Sequence, residues 1–438
     1  MSTINATQLP PPFARDRLVH AWIVMKSLSD AGDAIWTIAL AWTAVQVASP
    51  AVAGVVVAAG TLPRAAVLLV GGVIADRLDA RRVMTGANLV RVVVLISTAV
   101  WVISTGPSLG VLLVAAIAFG VSDAIYEPAA STIGRQLVCA DDLPAFGGAI
   151  QSGTRLGTML GAAVGGFLVA HAGIEGSASI NAVTFVAVVA FLAIWLRPRY
   201  PLERAEAEPV LRSIRGGFAH LWATPVTRTL VLSLSGLNLA VTPALGLGIP
   251  LRAYTTGWGA STVGILEALV GLGAAAGALA MIRWRPTYVA RVGFLCLATQ
   301  AISIPALGLG PLWVAAAACL VIGVTAGVAS ALLGAVFVTT VDAKHFGRMV
   351  SIQRLGDDAL MPVSMIAFGA LATLTSIPLA FTAFGIAMGL LMAWPLSNPT
   401  LIALTLTNRR QDKPQPARDH PLRQTKPSGT NGTGTAVT

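Results

Sequence analysis

The chain of 438 residues is 55% hydrophobic and only 11% charged, with a formal net charge of +10 and a mean hydropathy of +0.77. Soluble domains carry about 25% charged residues, so this composition excludes a soluble protein. Membrane spans of about 20 apolar residues each would use most of the length. This argues against an ATP-driven pump with its own nucleotide domain, a receptor with an extramembrane enzyme and a nucleic-acid-binding protein.

The first 18 residues are polar and rich in proline, and the apolar stretch that follows is too long for a cleaved signal peptide. We therefore expect a cytoplasmic N-terminal segment at 1–18 and a first helix that is retained as a membrane span. Cys139, Cys296 and Cys319 lack C-x-x-C spacing, so we expect no disulfide framework, no metal site and no cofactor.

Apolar runs separated by glycine, proline and charged residues predict twelve membrane-spanning helices. In the first half of the chain the spans are predicted at 19–48, 51–75, 83–105, 109–138, 147–172 and 176–197. In the second half they are predicted at 226–256, 259–283, 287–310, 312–341, 346–375 and 377–403.

The two sets of six spans have nearly equal lengths, which indicates an internal duplication. The expected fold is thus an all-α integral membrane protein with two pseudo-symmetric six-helix bundles, at 19–197 and 226–403. A polar, arginine-rich cytoplasmic linker is expected at 198–225. The tail at 404–438 is rich in proline, glycine, threonine and charge, and we expect it to be cytoplasmic and disordered.

The distribution of positive charge predicts the orientation. Of the 29 lysines and arginines, 23 fall at the N-terminus, in even-to-odd loops, in the linker or in the tail, and only Arg252 falls in a loop on the opposite side. The positive-inside rule then predicts a multi-pass protein of the cell (inner) membrane with both termini cytoplasmic. The basic charge is explained by anionic lipid rather than nucleic acid. The remaining five lysines and arginines lie inside predicted spans, and they are Lys26, Arg64, Arg91, Arg155 and Arg354.

The loop between spans 2 and 3 combines glycine with opposite charges. Gly72 permits close approach of two helices, and Asp76 can form charge-assisted bonds with Arg77, Arg81 and Arg82 that hold one arrangement of the two halves. A simpler role for the arginines is to anchor the loop on the cytoplasmic side.

This loop, GGVIADRLDARR at 71–82, resembles the Gly-x-x-x-Asp-Arg-x-x-Arg-Arg signature of the major facilitator superfamily. It is most similar to the variant in bacterial multidrug efflux proteins that include macrolide and siderophore exporters. The resemblance implies the major facilitator fold, alternating access and a loop that latches the cytoplasmic gate in the outward-open state. Further similar pieces are Gly32 to Leu40, Leu62 to Arg64, Arg91 and, faintly, a decayed loop copy at 277–285.

Span 5 carries Gly157, Gly161 and Gly165 four residues apart, which predicts a flat face for close helix packing. The stretch resembles the Gly-x-x-x-Gly-Pro-x-x-Gly-Gly motif of exporters in this superfamily. Ala162 replaces the proline, so the kink that proline would supply is absent and the indication of efflux is weaker. Ordinary packing of small residues is the alternative interpretation.

Carboxylates inside spans are candidate functional residues, because a charge at the bilayer centre costs at least about 2.5–3.5 kcal/mol. In the superfamily that the sequence resembles, spans 1, 4, 7 and 10 line the central cavity, and Asp33 and Asp123 fall near the middle of spans 1 and 4. The seven acids in spans are Asp30, Asp33, Asp123, Glu127, Glu267, Asp357 and Asp358.

Asp123 and Glu127 share a helix face and are close enough to disfavour double ionisation, so the pair is a candidate site for a proton or a cationic substrate. Alternatively Glu127 pairs with Arg155 or Arg135. We favour Asp33 as the proton-coupling residue, because it combines midplane depth, a cavity helix and the Gly-Asp-x-x-Trp stretch.

Lys26 and Asp30, four residues apart, predict an intrahelical ion pair. Asn238 is a candidate cavity residue, with packing as the alternative.

Arg354, Asp357 and Asp358 share a face of span 11, which in this superfamily meets span 2. One prediction is that Arg64 on span 2 bridges to Asp357 or Asp358 and that the contact breaks as the halves rock. The alternative is a local pair of Arg354 with Asp358.

The leading hypothesis is a proton-coupled secondary transporter that exports hydrophobic or amphiphilic small molecules, comparable to drugs, antibiotics or siderophores, by alternating access. Its expected partners are the substrate, protons and the lipid bilayer, and we expect a monomer. The alternatives are a proton symporter or facilitator that imports a nutrient, and a non-transporting membrane enzyme or sensor. Because the five histidines are scattered without a paired nucleophile, we expect no enzyme activity.

Overall fold

The computed structural model describes residues 11–77, 79–200, 210–342 and 345–405, and their side chains except at 64–77 and 210–215. All regular structure in these residues is helical, as predicted. The first half contains α1 (Arg17–Val47), α2 (Pro50–Arg77), α3 (Ala80–Thr105), α4 (Leu109–Leu137) and α5 (Leu143–Ile194). The linker helix α6 (Val210–Ala223) is followed by α7 (Pro225–Pro243), α8 (Ile249–Thr256), α9 (Ala260–Arg283), α10 (Val289–Ala298), α11 (Gln300–Leu309), α12 (Leu312–Thr340), α13 (Phe346–Leu374), α14 (Ile377–Leu396) and α15 (Pro399–Ile402).

These helices form the twelve predicted spans. The 52-residue α5 supplies two of them, because Gly173 has φ of 61° and bends the helix between the predicted spans 5 and 6. A π-helical turn, Ala244–Gly248, joins α7 to α8 as one span. Thr299 similarly joins α10 to α11. By length and hydropathy, nine segments of the described chain qualify as membrane spans. Bent α5 is one of these segments but supplies two spans, and α1 and α2 complete the twelve.

The linker contains a helix that the sequence analysis did not predict. A polar, arginine-rich linker is predicted at 198–225, and α6 occupies fourteen of these residues. Apolar residues recur at helical spacing at Val210, Ile214, Phe218 and Leu221, but the arginines between them obscured this pattern. Leu221 is buried and Trp222 is 61% exposed. The helix therefore has one packed face and one apolar residue directed away from the protein.

In the first half, α1 and α5 are in backbone contact. A Cβ atom at each of three α5 glycines would lie 2.2 to 2.9 Å from a backbone atom of α1, closer than real Cβ contacts allow. Glycine is therefore required for this packing. The facing pairs are Gly157 with Ser27, Gly161 with Ala31 and Gly165 with Ile35.

The two halves meet along two seams, α5 with α9 and α2 with α13. At the first seam a Cβ on Gly166 would lie 2.7 Å from the backbone of Gly264. At the second, the backbone N–H of Ala51 donates to Thr373 Oγ1 at 2.9 Å. Both contacts lie toward the far side, where α1 ends and α2 begins. We name the opposite side, where α1 begins and α5 ends, the linker side.

Asp16 fastens the linker side of the first half. Its carboxylate accepts hydrogen bonds from the backbone N–H groups of Leu18 and Val19, at 3.1 and 3.3 Å, and so caps α1. The same carboxylate forms an ion pair with Arg199, beyond the end of α5. Burial opposes ionisation of Asp16, but Arg199 and the two N–H groups outweigh it and hold the pKa of Asp16 below its ordinary value.

Replacing Gly161 with alanine should lower the thermal unfolding midpoint of the purified protein, since overpacking of this kind costs about 1–3 kcal/mol. The control is Gly148→Ala in the same helix, because a Cβ there meets no atom within 4 Å. The control should be neutral or slightly stabilising. Equal midpoints for the two variants would contradict the described α1–α5 contact.

Arg199→Ala should destabilise the protein at neutral pH but not at low pH. Because the folded-state pKa of Asp16 is lowered, its stabilisation is present above about pH 4 and lost as the pH falls through the folded-state pKa. Thermal unfolding across pH 3 to 7 measures this, with exposed Arg197→Ala as the control. A difference from the wild type that persists undiminished at the lowest pH would rule out the Asp16 pair as its cause.

Candidate functional site

A cavity of about 1260 Å³ lies between the two halves. Its walls come from α1, α2, α4 and α5 on one side and from the α7–α8 span, α9 and α13 on the other. Lining residues such as Arg135 and Gly147 are exposed at the linker side. On the far side the halves touch, including an edge-on contact of Trp42 with Tyr254 at 6.0 Å between ring centroids. The cavity is thus open to the linker side and closed to the far side.

Acidic side chains dominate the charge of this cavity. All seven acids expected in the spans line it, together with three basic residues among those whose side chains are described. The apolar part of the wall is aromatic and methionine-rich, and Trp36 stacks on Phe119 at 5.4 Å between centroids. The basic residues are Lys26, Arg135 and Arg354, and the other aromatic and methionine residues of the wall are Trp22, Phe146, Met159, Met361 and Met365.

Arg91 of α3 lies behind the cavity wall and is completely buried. Its guanidinium donates to Asp123 at 2.6 Å and lies 3.6 Å from an oxygen of Asp33. It also donates to Asn88 at 3.2 Å and to Ser29 at 3.4 Å. One buried cation therefore joins the two midplane carboxylates of α1 and α4.

Three aromatic rings surround the same guanidinium. Its central carbon lies 4.7 Å from the ring centroid of Tyr126, 5.1 Å from that of Phe185 and 5.3 Å from that of Phe119. Cation–π attraction at such distances is strongest where water is excluded. The rings stabilise the cation without neutralising it, so the carboxylates supply its counter-charge.

A second ion cluster lies closer to the linker side. Lys26 forms the predicted intrahelical pair with Asp30 and also donates to Glu127 on α4 at 3.2 Å. The alternative prediction was a pair of Glu127 with Arg135 or Arg155. In this structure Glu127 pairs with Lys26 instead. Arg155 instead donates to Ser330 of α12 at 3.4 Å.

The two acids of the predicted carboxylate pair on α4 each have a cation on another helix. Asp123 pairs with Arg91, and Glu127 pairs with Lys26. Contacts between helices therefore add to the interaction that the sequence predicts between these two neighbours. Their role as a proton or cation site stays a prediction.

In the second half, the acids of α13 lie beside polar partners. Asn238 of α7 lies beside Asp357, and Arg354 is close to the same carboxylate. Asn238 also accepts a hydrogen bond from Thr242 at 2.8 Å. The predicted cavity residue Asn238 is therefore a neighbour of an acid in the cavity wall. Asp358 faces the cavity on the same helix.

The predicted gate residues are only partly described. The side chains of Arg64, Asp76 and Arg77 lie outside the part of the chain that the structure describes, and so do the surroundings of Gly72. Asp79 caps α3 by accepting from the backbone N–H groups of Arg81 and Arg82, at 2.9 and 3.4 Å. The guanidinium of Arg81 donates to the carbonyls of Leu192 and Ala193 at the end of α5. In this conformation Arg81 is therefore held within the first half.

Sequence reasoning singled out Arg91 only as part of a resemblance and missed its place at the centre of the site. A lone arginine in an apolar span was the available signal, because such a charge requires a partner. It did not indicate which acids are the partners. Glu267 was noted among the acids in spans but given no role, and the structure places it in the cavity wall.

Arg91→Met should strongly destabilise the protein, because it leaves Asp33 and Asp123 buried without their cation. Loss of one member of a buried pair costs about 3–5 kcal/mol. The double variant Arg91→Met/Asp123→Asn should recover part of the loss in thermal unfolding midpoint, and exposed Arg283→Met should change little. A double variant less stable than Arg91→Met would refute the pairing.

Comparisons with known proteins agree with this architecture. A family model described as "Transmembrane secretion effector" matches residues 7–424. The enterobactin exporter EntS of Escherichia coli K12 is 28% identical over 356 residues, which cover 80% of this chain and 82% of EntS.

Solved structures share the fold at low sequence identity. The nucleoside transporter NupG has a TM-score of 0.68 at 15% identity and covers 86% of this chain and 98% of its own. The D-xylose-proton symporter has a TM-score of 0.66 at 13% identity, covering 89% and 99%.

Proposed function

The chain belongs to the transmembrane secretion effector family of the major facilitator superfamily and is thus a membrane transporter of small molecules. We propose that it exports hydrophobic or amphiphilic compounds and that inward proton flow drives this export. The aromatic and methionine-rich wall suits amphiphilic substrates. The similarity to EntS, an exporter by name, supports the direction. The likeness to NupG and to the D-xylose-proton symporter concerns the fold alone, so import by symport is the competing function.

The observation that carries the proton coupling is the position of Asp33 beside the buried Arg91. Asp33 Oδ1 is buried, lies 3.6 Å from the guanidinium and accepts no hydrogen bond among the described residues. An ionised carboxylate held so loosely is costly at membrane depth. A proton on Asp33 removes that cost, so this acid can take up and release a proton as its surroundings change.

Asp33 is the better proton carrier of the two. Its oxygen lies 3.6 Å from Arg91, against 2.6 Å for Asp123. Its side chain is 24% exposed, against 16% for Asp123. Asp33 is thus less tightly held by the guanidinium and more accessible from the cavity, while Asp123 keeps Arg91 in place.

In this proposal the two halves rock about the cavity. The far-side contacts, including Trp42 with Tyr254 and Gly166 with Gly264, separate when the site opens to that side. The linker side then closes, and Asp76 with the arginines of its loop holds it closed. The linker side faces the cytoplasm of an inner membrane, because most lysines and arginines lie there, and the protein acts as a monomer.

Asp33→Asn should abolish uphill export while leaving downhill exchange measurable, because the amide resembles a permanently protonated acid. In proteoliposomes, a gradient of one pH unit supplies about 1.4 kcal/mol per proton, enough for about tenfold accumulation of a fluorescent amphiphile moved with one proton. Exposed Asp141→Asn, outside the spans, is the control and should accumulate the probe as the wild type does.

The direction of coupling separates export from import. Antiport moves the amphiphile from the less acidic compartment into the acidic one, against the flow of protons. Symport moves it out of the acidic compartment together with protons. Uphill accumulation by Asp33→Asn equal to that of the wild type would reject Asp33 as the proton carrier. Accumulation of the amphiphile in the compartment that the protons enter would reject export.

A further inference from the structure

We propose that Glu267 of α9 binds a cationic group of the substrate. The cavity would then bind singly charged cationic amphiphiles more tightly than neutral or anionic ones. This inference rests on the proposed transport of amphiphiles and adds the charge that they carry at one identified residue.

The helix α5 contacts both α1 and α9, so its residues give the relative depths of Asp33 and Glu267 in the membrane. Gly165 of α5 faces Ile35 of α1, and the two helices run parallel with the same register at the other two glycine contacts. Two residues earlier on both helices, Ala163 is therefore level with Asp33.

The contact between α5 and α9 gives the depth of Glu267. The helix α9 runs antiparallel to α5, and Gly166 of α5 packs on Gly264 of α9. Three residues back along α5 and three forward along α9, Ala163 is level with Glu267. Asp33 and Glu267 therefore lie at one depth, in walls contributed by opposite halves of the protein.

The described cations near the cavity lie beside acids other than Glu267. Lys26 pairs with Asp30 and Glu127. Arg91 lies beside Asp33 and Asp123, and Arg354 lies close to Asp357. In the described part of the chain, Glu267 forms no hydrogen bond or ion pair. The titratable group near it is the thiol of Cys319, which is buried on α12.

The wall around Glu267 fits the apolar part of such a cation. Val263 and Val270 flank it on the cavity face of α9. Met159 of α5 packs on Gly271, one turn beyond Glu267. A carboxylate at membrane depth costs at least about 2.5–3.5 kcal/mol, and a lipophilic cation bound there removes much of that penalty while burying its own apolar surface.

Binding of tetraphenylphosphonium to the purified full-length protein tests the proposal by equilibrium dialysis. Glu267→Gln should weaken binding at least tenfold, and Glu267→Asp should retain most of the affinity because it keeps the charge. Glu175→Gln is the matched control, since Glu175 lies beside the bend of α5 and outside the cavity lining. Binding of the neutral triphenylphosphine oxide should be the same in all four proteins.

A measurement on the wild type covers the case in which the variants fold poorly. Tetraphenylphosphonium should protect Glu267 from modification by dicyclohexylcarbodiimide, as read by mass spectrometry of the labelled peptide. Absence of wild-type binding, absence of protection or equal binding by Glu267→Gln would each overturn the proposal.

The proposed function fails by a different readout. Uphill, proton-driven movement of a neutral amphiphile in proteoliposomes tests export without involving Glu267 as a cation site. If Glu267→Gln abolishes that movement while binding tetraphenylphosphonium as the wild type does, Glu267 carries protons rather than substrate. In that case this inference is wrong although proton-coupled export stands.

Discussion

The structure of the first half depends on keeping one guanidinium out of water. Arg91 has no exposed surface, so the chain must supply its ligands from other helices: carboxylates from α1 and α4, and aromatic rings from α4 and from the second arm of α5. These ligands fix the relative positions of three helices at mid-depth. The guanidinium lies closer to Asp123, at 2.6 Å, than to Asp33, at 3.6 Å, so the two carboxylates of the site are held differently.

Close packing elsewhere allows this polar centre to exist. The α5 glycines bring the backbones of α1 and α5 together, and their contact orients α1 so that Asp33 faces both Arg91 and the cavity. On its other face, α5 meets α9 of the second half at Gly166. One helix therefore aligns the depth of residues in both halves, which a transport site shared between them requires.

The spans could be predicted from the sequence because partition into lipid depends on the local composition of each segment. For example, the fourth span was predicted at 109–138 and is observed at Leu109–Leu137. The partners of charged groups could not be predicted, since Lys26 and Glu127 are brought together by tertiary packing across 101 positions. The apolar residues of α6 recur at helical spacing, but the arginines between them made this pattern too weak to predict the helix. Nothing in the sequence pattern indicated the π-helical turn at Ala244–Gly248. The gate role of Asp76 and the bridge from Arg64 stay predictions.

The surplus of acidic over basic side chains in the cavity wall also has a kinetic consequence. A cleft of one sign between low-dielectric walls focuses its field toward the mouth and raises the local concentration of oppositely charged solutes. Ions screen such a field over about 8 Å at physiological ionic strength. The rate at which cations enter the cleft from the linker side should thus fall as salt rises, whereas entry of neutral molecules should not.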